Sequence, residues 1–484
     1  MSHQLESQNP TEFSDEQMRE TLRRQRAAQL AEGPPSADLR TDRLDRAIGI
    51  VVDNQNEIVD ALVSDFGSRS PEESLMTNVM GSIEPLKFAK KNLRSWMRSK
   101  RRKVMFPLNL LGARAEIRYQ PLGVIGIISP WNFPFNLTFG PLAGALAAGN
   151  RVMIKPSEFT PASSELMARM FASVYDETEV AVFTGGPEVG QAFSGLPFDH
   201  LLFTGATSIG RHVMRAAAEN LVPVTLELGG KSPVIVSRSA DLADAAQKIM
   251  AGKMMNAGQI CLAPDYVFVP EEQKSSFVEE AKAAVSKMFG GLADNPDYTS
   301  VINARHHDRL ERYLTEARAQ GADVIELNPA NEEFASEGHC KMAPALVLEP
   351  DDKMAVMNEE IFGPILPIKT YREIDEVIDY VNDRDRPLGL YYFGRDKGEQ
   401  ERVLSRTTSG GVTINDVIMH VSMEDLPFGG VGPSGMGSYH GREGFETFSH
   451  ARGVFTQTKI NVGAMMRPPY GERIRKMVKG QIKR

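Results

Sequence analysis

Only two cysteines occur in the 484 residues of the chain, and one of them, Cys261, lies among small residues in GKMMNAGQICLA (252–263). A thiolate is a far stronger nucleophile than a hydroxyl near neutral pH, so a cysteine in that setting could attack a carbonyl carbon. Burial as an inert filler is the commoner fate of a lone cysteine, and position 261 alone does not decide the matter. Asn132, in SPWNFP (129–134), is held between two prolines with a side-chain N–H to donate. A fixed amide donor is what an oxyanion requires, although a turn asparagine can equally bond its own backbone. Glu227, in LELGGK (226–231), is a carboxylate between apolar neighbours. Desolvation there would raise its pKa toward that of a useful general base; the plain alternative is a strand-end glutamate in an ion pair.

Three further stretches suit a dinucleotide. FTGATSIG (203–210) reads as a strand end, a turn at Gly205 and a helix opening near Ser208, whose first N–H groups favour phosphate. VMIKPSE (152–158) puts Lys155 and Glu158 just past another strand end. A lysine and a carboxylate there suit ribose hydroxyls, and the carboxylate repels a 2′-phosphate, which leans toward NAD over NADP. EEIFGP (359–364) places Glu360 two residues before Phe362, so that one could bind a sugar hydroxyl while the other packs on a planar ring. Each stretch also has an ordinary structural reading as a capped turn or surface segment.

Familiar devices are missing. GVGPSG (430–435) matches G-x-G-x-x-G but follows no strand and opens no helix. GATSIG (205–210) continues Arg-His rather than Lys-Ser/Thr, and no G-x-S-x-G elbow occurs. There is no HExxH or CxxC, the nine histidines form no obvious zinc cluster, and no metal is expected. His306–His307 reads as a surface pair, and Cys340 as incidental.

The elements that must position these residues follow from periodicity. Apolar residues recur at helical spacing from Arg43 to about Lys100. GVIGIIS (123–129), RVMIKPSE (151–158), HLLFTG (200–205) and VPVTLEL (222–228) read as strands separated by helical stretches. That alternation predicts a parallel, doubly wound α/β sheet, with ligands at the loops along one edge. A second α/β pattern runs from SPVIVS (232–237) to GGVTIN (410–415). The uncharged stretch 119–150 is broken by Pro130, Pro134 and Pro141 and reads as buried strand, loop and helix rather than a membrane span. The basic cluster MRSKRRK (97–103) reads as a solvated helix end, and the basic tail from Gly471 as a terminal helix packed on the body. Net charge of −8 argues against nucleic acid as the main partner. The polar, acidic opening residues and the scarcity of cysteine point to a cytoplasmic protein.

Taken in order, PWNFP, IKPSE, FTG…G, ELGGK, GQxC and EEIFGP closely resemble the NAD(P)-dependent aldehyde dehydrogenases, over nearly the whole chain. The ending LPFGGVGPSGMGSYHGREGFETFSH looks most like the class 3 branch, and within that branch the sequence as a whole is most similar to the bacterial coniferyl aldehyde dehydrogenases. The resemblance implies two doubly wound domains and a small β oligomerisation arm. Cofactor binding would take 1–110 and 122–227, with 1–35 a loosely held arm. Catalysis would take 228–425, and 111–121 with 426–484 would form the bridging arm and tail. It implies Cys261 as nucleophile, Asn132 as oxyanion donor and Glu227 as the base that hydrolyses a thioester. Cofactor contacts would come from Pro130, Trp131, Lys155, Pro156, Ser157, Glu158, Gly205, Ser208, Leu228, Gly229, Glu360 and Phe362. It further implies NAD, with NADP possible, a small aldehyde substrate, no membrane anchor, and a homodimer in which ARAEIRYQ (113–120) adds to a partner's sheet. A coniferyl-type aromatic aldehyde is the expected substrate and a medium- or long-chain aliphatic aldehyde the alternative. A cysteine hydrolase lacks a partner histidine motif, a CoA-acylating enzyme would be handicapped by Glu227, and a non-catalytic protein would not need Cys261 and Glu227 together.

Overall fold

A computed structural model describes residues 13–106, 108–334, 340–458 and 467–482. The chain enters through the helix Asp15–Glu32, started by a capping box in which the Ser14 and Gln17 side chains satisfy each other's backbone N–H. Met18, Leu22 and Gln25 are buried, and the Gln25 amide donates to the carbonyls of Val152 and Glu177. The loosely held arm expected over 1–35 is therefore a docked helix from residue 15 onward; residues 1–12 lie outside the described ones. The helical periodicity from Arg43 resolves into Ala37–Asp53, Gln55–Phe66, Pro71–Ser74, a π-helical turn Leu75–Met80 and Gly81–Trp96.

The strands are β1 (Lys100–Arg102), β2 (Arg114–Pro121), β3 (Val124–Ile128), β4 (Arg151–Lys155), β5 (Val180–Val182), β6 (His200–Gly205), β7 (Val224–Leu228), β8 (Pro233–Val236), β9 (Tyr266–Pro270), β10 (Asp323–Glu326), β11 (Ala345–Leu348), β12 (Ile365–Tyr371), β13 (Gly389–Phe393), β14 (Gly411–Ile414), β15 (Gly435–Met436) and β16 (Ser449–Thr456). They form three sheets: β15-β7-β6-β3-β4-β5, β10-β11-β12-β9-β8-β13-β14 and β1-β2-β16. The first two are parallel except at one edge each, where β15 and β10 run antiparallel. Their central strands are buried on both faces, as a doubly wound sheet requires, with Val and Ile dominant in β3 and β8 and aromatic residues prominent in β9 and β13. In the first sheet Ile128 pairs with both Lys155 and Phe203, and Gly205 with Leu228. The ends of β3, β4, β6 and β7 therefore lie along one edge, and the loops carrying the candidate cofactor residues share it.

The helix Asn136–Ala148 is buried almost all round, which accounts for the uncharged stretch; among the described residues no helix is long and apolar enough to cross a membrane. The basic cluster is not a helix end: the helix stops at Trp96 and Lys100–Arg102 pairs with β2, with Lys100 Nζ on Glu446 at 2.6 Å. GVGPSG has a structural use. It runs into β15 and covers the edge of β7, with Gly435 paired to Glu227 and Leu228 N–H donating to the Ser434 carbonyl. The tail forms the helix Glu472–Gln481, but none of its residues is buried, so it does not pack on the body as expected. Segment 113–120 falls in β2, the middle strand of the third sheet, and the long outer edge belongs to β16.

Candidate active site

Cys261 follows a backbone reversal that few residues tolerate. Asn256 and Ala257 have φ near +50°, and Gly258 has φ +74° with its α-carbon so close to the Gly363 carbonyl that a Cβ would lie 2.3 Å from that oxygen. Gln259, fully buried, pins the turn. Its amide donates to the Asn256 and Ser300 carbonyls, and its side-chain oxygen accepts from Ile302 N–H. The conformation that presents the sulfur is thus over-determined by buried hydrogen bonds. Cys261 itself keeps partial exposure.

Around it the structure gathers Asn132, Glu227 and Glu360. Asn132 is buried and its amide donates to the Gln259 carbonyl at 3.0 Å, which ties the proline loop to the cysteine loop. A carboxamide carries two N–H donors, so one remains for a ligand. Glu227 is buried at the end of β7, and neither carboxylate oxygen has a hydrogen-bond partner. The ion pair that was its plain alternative is not formed. Burial pushes its pKa well up. Glu360 lies over Gly229, where a Cβ would come within 2.0 Å of a carboxylate oxygen and so displace the carboxylate from this position. It accepts from Gly230 N–H, its Oε1 has no partner, and burial, with Asp265 nearby, pushes its pKa up to about 8. The Cys261 thiol is pushed up by burial and then by Glu360 and Glu227. Three acids in electrostatic reach of one another, each favouring its neutral form, make a site that would welcome a cation.

The remaining predicted residues divide. Lys155 is buried, with Nζ on the Pro156 carbonyl at 2.8 Å and on Glu158 at 3.5 Å. The Ser157 hydroxyl accepts from Phe159 N–H and so serves its own turn, and the Leu228 N–H is taken by Ser434. Gly205 closes β6, and the helix Thr207–Ala218 opens directly after it with Ser208 exposed. Pro130 and Trp131 follow β3, and the indole meets Phe362 edge-on at 5.2 Å; Phe362 holds φ +46°, a rare conformation for an aromatic residue. His306 is not the fully exposed residue expected. It is half-buried, 5.3 Å from Trp131 and 6.1 Å from Phe159, and burial, helped by Arg309 and Arg305, lowers its pKa to about 4.

Two neighbours escape sequence reasoning. Tyr439 is buried, and its phenol is pushed up by burial and then by Glu227 and Cys261, which lie within electrostatic reach of it. Arg69 donates to the Asn132 carbonyl from 63 residues away. Tyr439 stands in the quoted C-terminal motif, a usable signal; nothing local marks Arg69. Among the described residues no three His, Cys, Asp or Glu side chains gather as a metal site would need.

Two mainly parallel sheets meeting at a cysteine, an amide and desolvated carboxylates, with a small antiparallel sheet beside them, define an α/β protein of the aldehyde dehydrogenase fold. The fold is shared with Staphylococcus aureus AldH, at a TM-score of 0.89 and 36% identity over 96% of this chain and 99% of that one. The aldehyde dehydrogenase family model matches residues 6–454, and the chain belongs to that family. It is 61% identical to a probable coniferyl aldehyde dehydrogenase of Caulobacter vibrioides, over 96% of this chain and 97% of that protein. It is 56% identical to the coniferyl aldehyde dehydrogenase of Pseudomonas sp. strain HR199, over 95% of each.

Proposed function

We propose that this chain oxidises a coniferyl-type aromatic aldehyde to its acid with NAD, through a covalent adduct on Cys261. The observation that supports it most is the convergence of Cys261, Glu227 and Glu360 in one desolvated site, with Asn132 tied to the cysteine loop. The substrate class rests on the two coniferyl aldehyde dehydrogenases to which the chain is similar.

The residues present fit a nicotinamide cofactor. Glu360 Oε1 and Thr204 Oγ1 are buried without hydrogen-bond partners, at the strand ends and loops where a ribose could meet them. Glu360 and Phe362 would hold the nicotinamide riboside, Gly205 and Ser208 the pyrophosphate, and Lys155 and Glu158 the adenosine ribose, within a pocket walled by Pro130, Trp131, Pro156, Ser157, Leu228 and Gly229. When bound, the cofactor supplies a hydride acceptor and a cationic ring. The chain does the rest. The Cys261 thiol gives up its proton to solvent, and the thiolate adds to the aldehyde carbon to give a thiohemiacetal. Asn132 and the Cys261 N–H hold its oxygen; one such donor is worth about 3 kcal/mol. After loss of hydride a thioester remains on Cys261. Glu227 then draws a proton from water, which attacks the thioester and frees the acid.

The division into a cofactor domain (1–110 and 122–227), a catalytic domain (228–425) and an arm with tail (111–121 and 426–484) is part of the same reading; β3–β7, β8–β14 and β2 with β16 fall in three separate sheets, which supports it, while β1 joins the arm's sheet and β15 the cofactor sheet across its bounds. So are a cytoplasmic location and a homodimer. Steady-state kcat/KM for coniferaldehyde, benzaldehyde and decanal, each with NAD and NADP, tests the substrate and cofactor. The value for coniferaldehyde with NAD is expected to exceed that for decanal; the reverse order overturns the aromatic assignment. Cys261→Ala is expected to lose oxidation and keep cofactor binding.

A further inference from the structure

Arg69 lies between the helices Gln55–Phe66 and Pro71–Ser74, outside every motif quoted above, yet it is only 2% exposed. Its Nη1 donates to the Asn132 main-chain carbonyl at 2.9 Å, while Nε and Nη2 have no partner. The guanidinium lies 4.5 Å from the Phe66 ring and 5.2 Å from the Phe133 ring. Burial lowers its pKa to about 10, partly offset by Glu73, so it stays cationic at neutral pH. A buried cation with unused donors costs stability, and an apolar side chain of similar volume would avoid that cost. Such a charge is worth keeping where it fixes something the fold would otherwise leave loose.

What it fixes can be followed bond by bond. The Asn132 carbonyl also accepts from Asn256 Nδ2 at 3.3 Å. Asn256 N–H donates to both oxygens of Glu73, at 3.0 and 3.1 Å, and the residue is held at φ +49°. The Asn132 amide donates to the carbonyl of Gln259, two residues before the cysteine. Arg69 and Glu73 therefore take hold of two loops at once, the cation on a carbonyl of one and the carboxylate on an N–H of the other.

We propose that Arg69 is a positioning residue that, with Glu73, clamps the SPWNFP loop to the cysteine loop and so aims the Asn132 amide at the carbonyl oxygen of the Cys261 adduct. The inference rests on the reading of Asn132 as the oxyanion donor.

A double-mutant cycle between Arg69→Met and Asn132→Ala tests it, with kcat, KM for coniferaldehyde and for NAD, and melting temperature measured for each variant. Asn132→Ala removes the side chain and leaves the carbonyl that Arg69 holds; its kcat is expected to fall about 10²–10³-fold. Arg69→Met is expected to lose about tenfold to a hundredfold in kcat, as a misaimed donor would. Both KM values should stay within about twofold of wild type, since the lost interaction is made only in the transition state. Arg69→Lys should recover part of the loss, because one ammonium donor can reach the carbonyl. The double variant should turn over like Asn132→Ala alone. A wild-type kcat in Arg69→Met, or losses that multiply in the double variant, overturns the clamp while leaving the oxyanion reading intact. A near-normal kcat in Asn132→Ala overturns that reading and the proposal with it. Should Arg69→Met fail to fold, the cycle runs on Arg69→Lys, whose smaller loss is expected to vanish in the Asn132→Ala background; its persistence there is the overturning result.

Discussion

At the scale of single residues, the site is governed by desolvation. Glu227 has no hydrogen-bond partner and a pKa raised by burial, so it is protonated at low pH and gains its basic form as pH rises. Deacylation should therefore accelerate with pH in the native chain. Glu227→Gln should release a first equivalent of NADH and then stall at the thioester, with no such acceleration; a linear progress curve at the native rate excludes Glu227 as the base. Glu360 gives a stability test of the same physics. Its folded-state pKa is about 8, above its unfolded value, so the folded chain binds that proton more tightly. The stability tied to this proton is fully present below the unfolded pKa and is lost as pH climbs through about 8. Glu360→Gln removes the titration. Its melting temperature should match the native one near about pH 4 and exceed it by several degrees near about pH 9. A constant offset across that range contradicts a raised pKa at this position.

At the scale of elements, glycines decide where the chemistry can sit. Gly435 has φ +143°, and a Cβ there would lie 2.2 Å from the Leu226 carbonyl, so β15 can cover the edge of β7 only with glycine at that place. Gly435→Ala should cost about 2–3 kcal/mol through strain and a backbone clash. It should also lower kcat, because Glu227 is the pairing partner, and chemical denaturation together with turnover measures both. Unchanged stability would mean that β15 is not needed to hold β7. This edge also shows how far sequence reaches. GVGPSG matches a phosphate-loop pattern without the strand before it or the helix after it that such a loop needs, and its pairing with β7 depends on residues some 200 positions apart and has no local mark. The alternating strands β3, β4, β6 and β7 were legible because buried parallel strands are short apolar runs bounded by turns. By contrast β5, a three-residue strand, and β9 and β13, equally apolar but set between long helices and loops, carry no local mark that sets them apart as strands. The chemistry-bearing residues were legible for a related reason: Cys261, Asn132, Glu227 and Glu360 sit at strand ends and loops, where residue type is dictated by reaction rather than packing. Arg69 and His306 were not, because what they touch is set by tertiary contact alone.

At the scale of the whole molecule, the third sheet is the part the active site does not explain. β2 is flanked by β1 over residues 115–117 and by β16 over residues 114–121, so the segment expected to add to a partner is already paired along one whole edge and over three residues of the other. Among the described residues, the long edge left without a strand partner is that of β16, and most of its side chains are exposed. An open edge of that length is a liability unless another chain or a cover blocks it. Apolar surface accompanies it: Phe455 on β16 is 53% exposed, and Met105 and Phe106, just beyond β1, are 74% and 76% exposed. The expected homodimer would thus be joined through β16 rather than β2, burying Phe455 in the continuous sheet. Phe455→Asp should shift the mass measured by light scattering toward that of a monomer at micromolar concentration. Turnover per chain should fall little, because every residue assigned to the reaction lies in the other two sheets and their loops. A native mass for this variant, together with a native mass when Ile117 on β2 is the residue replaced, would remove the arm from the interface altogether; a change only with the β2 substitution would restore the original expectation in place of this one.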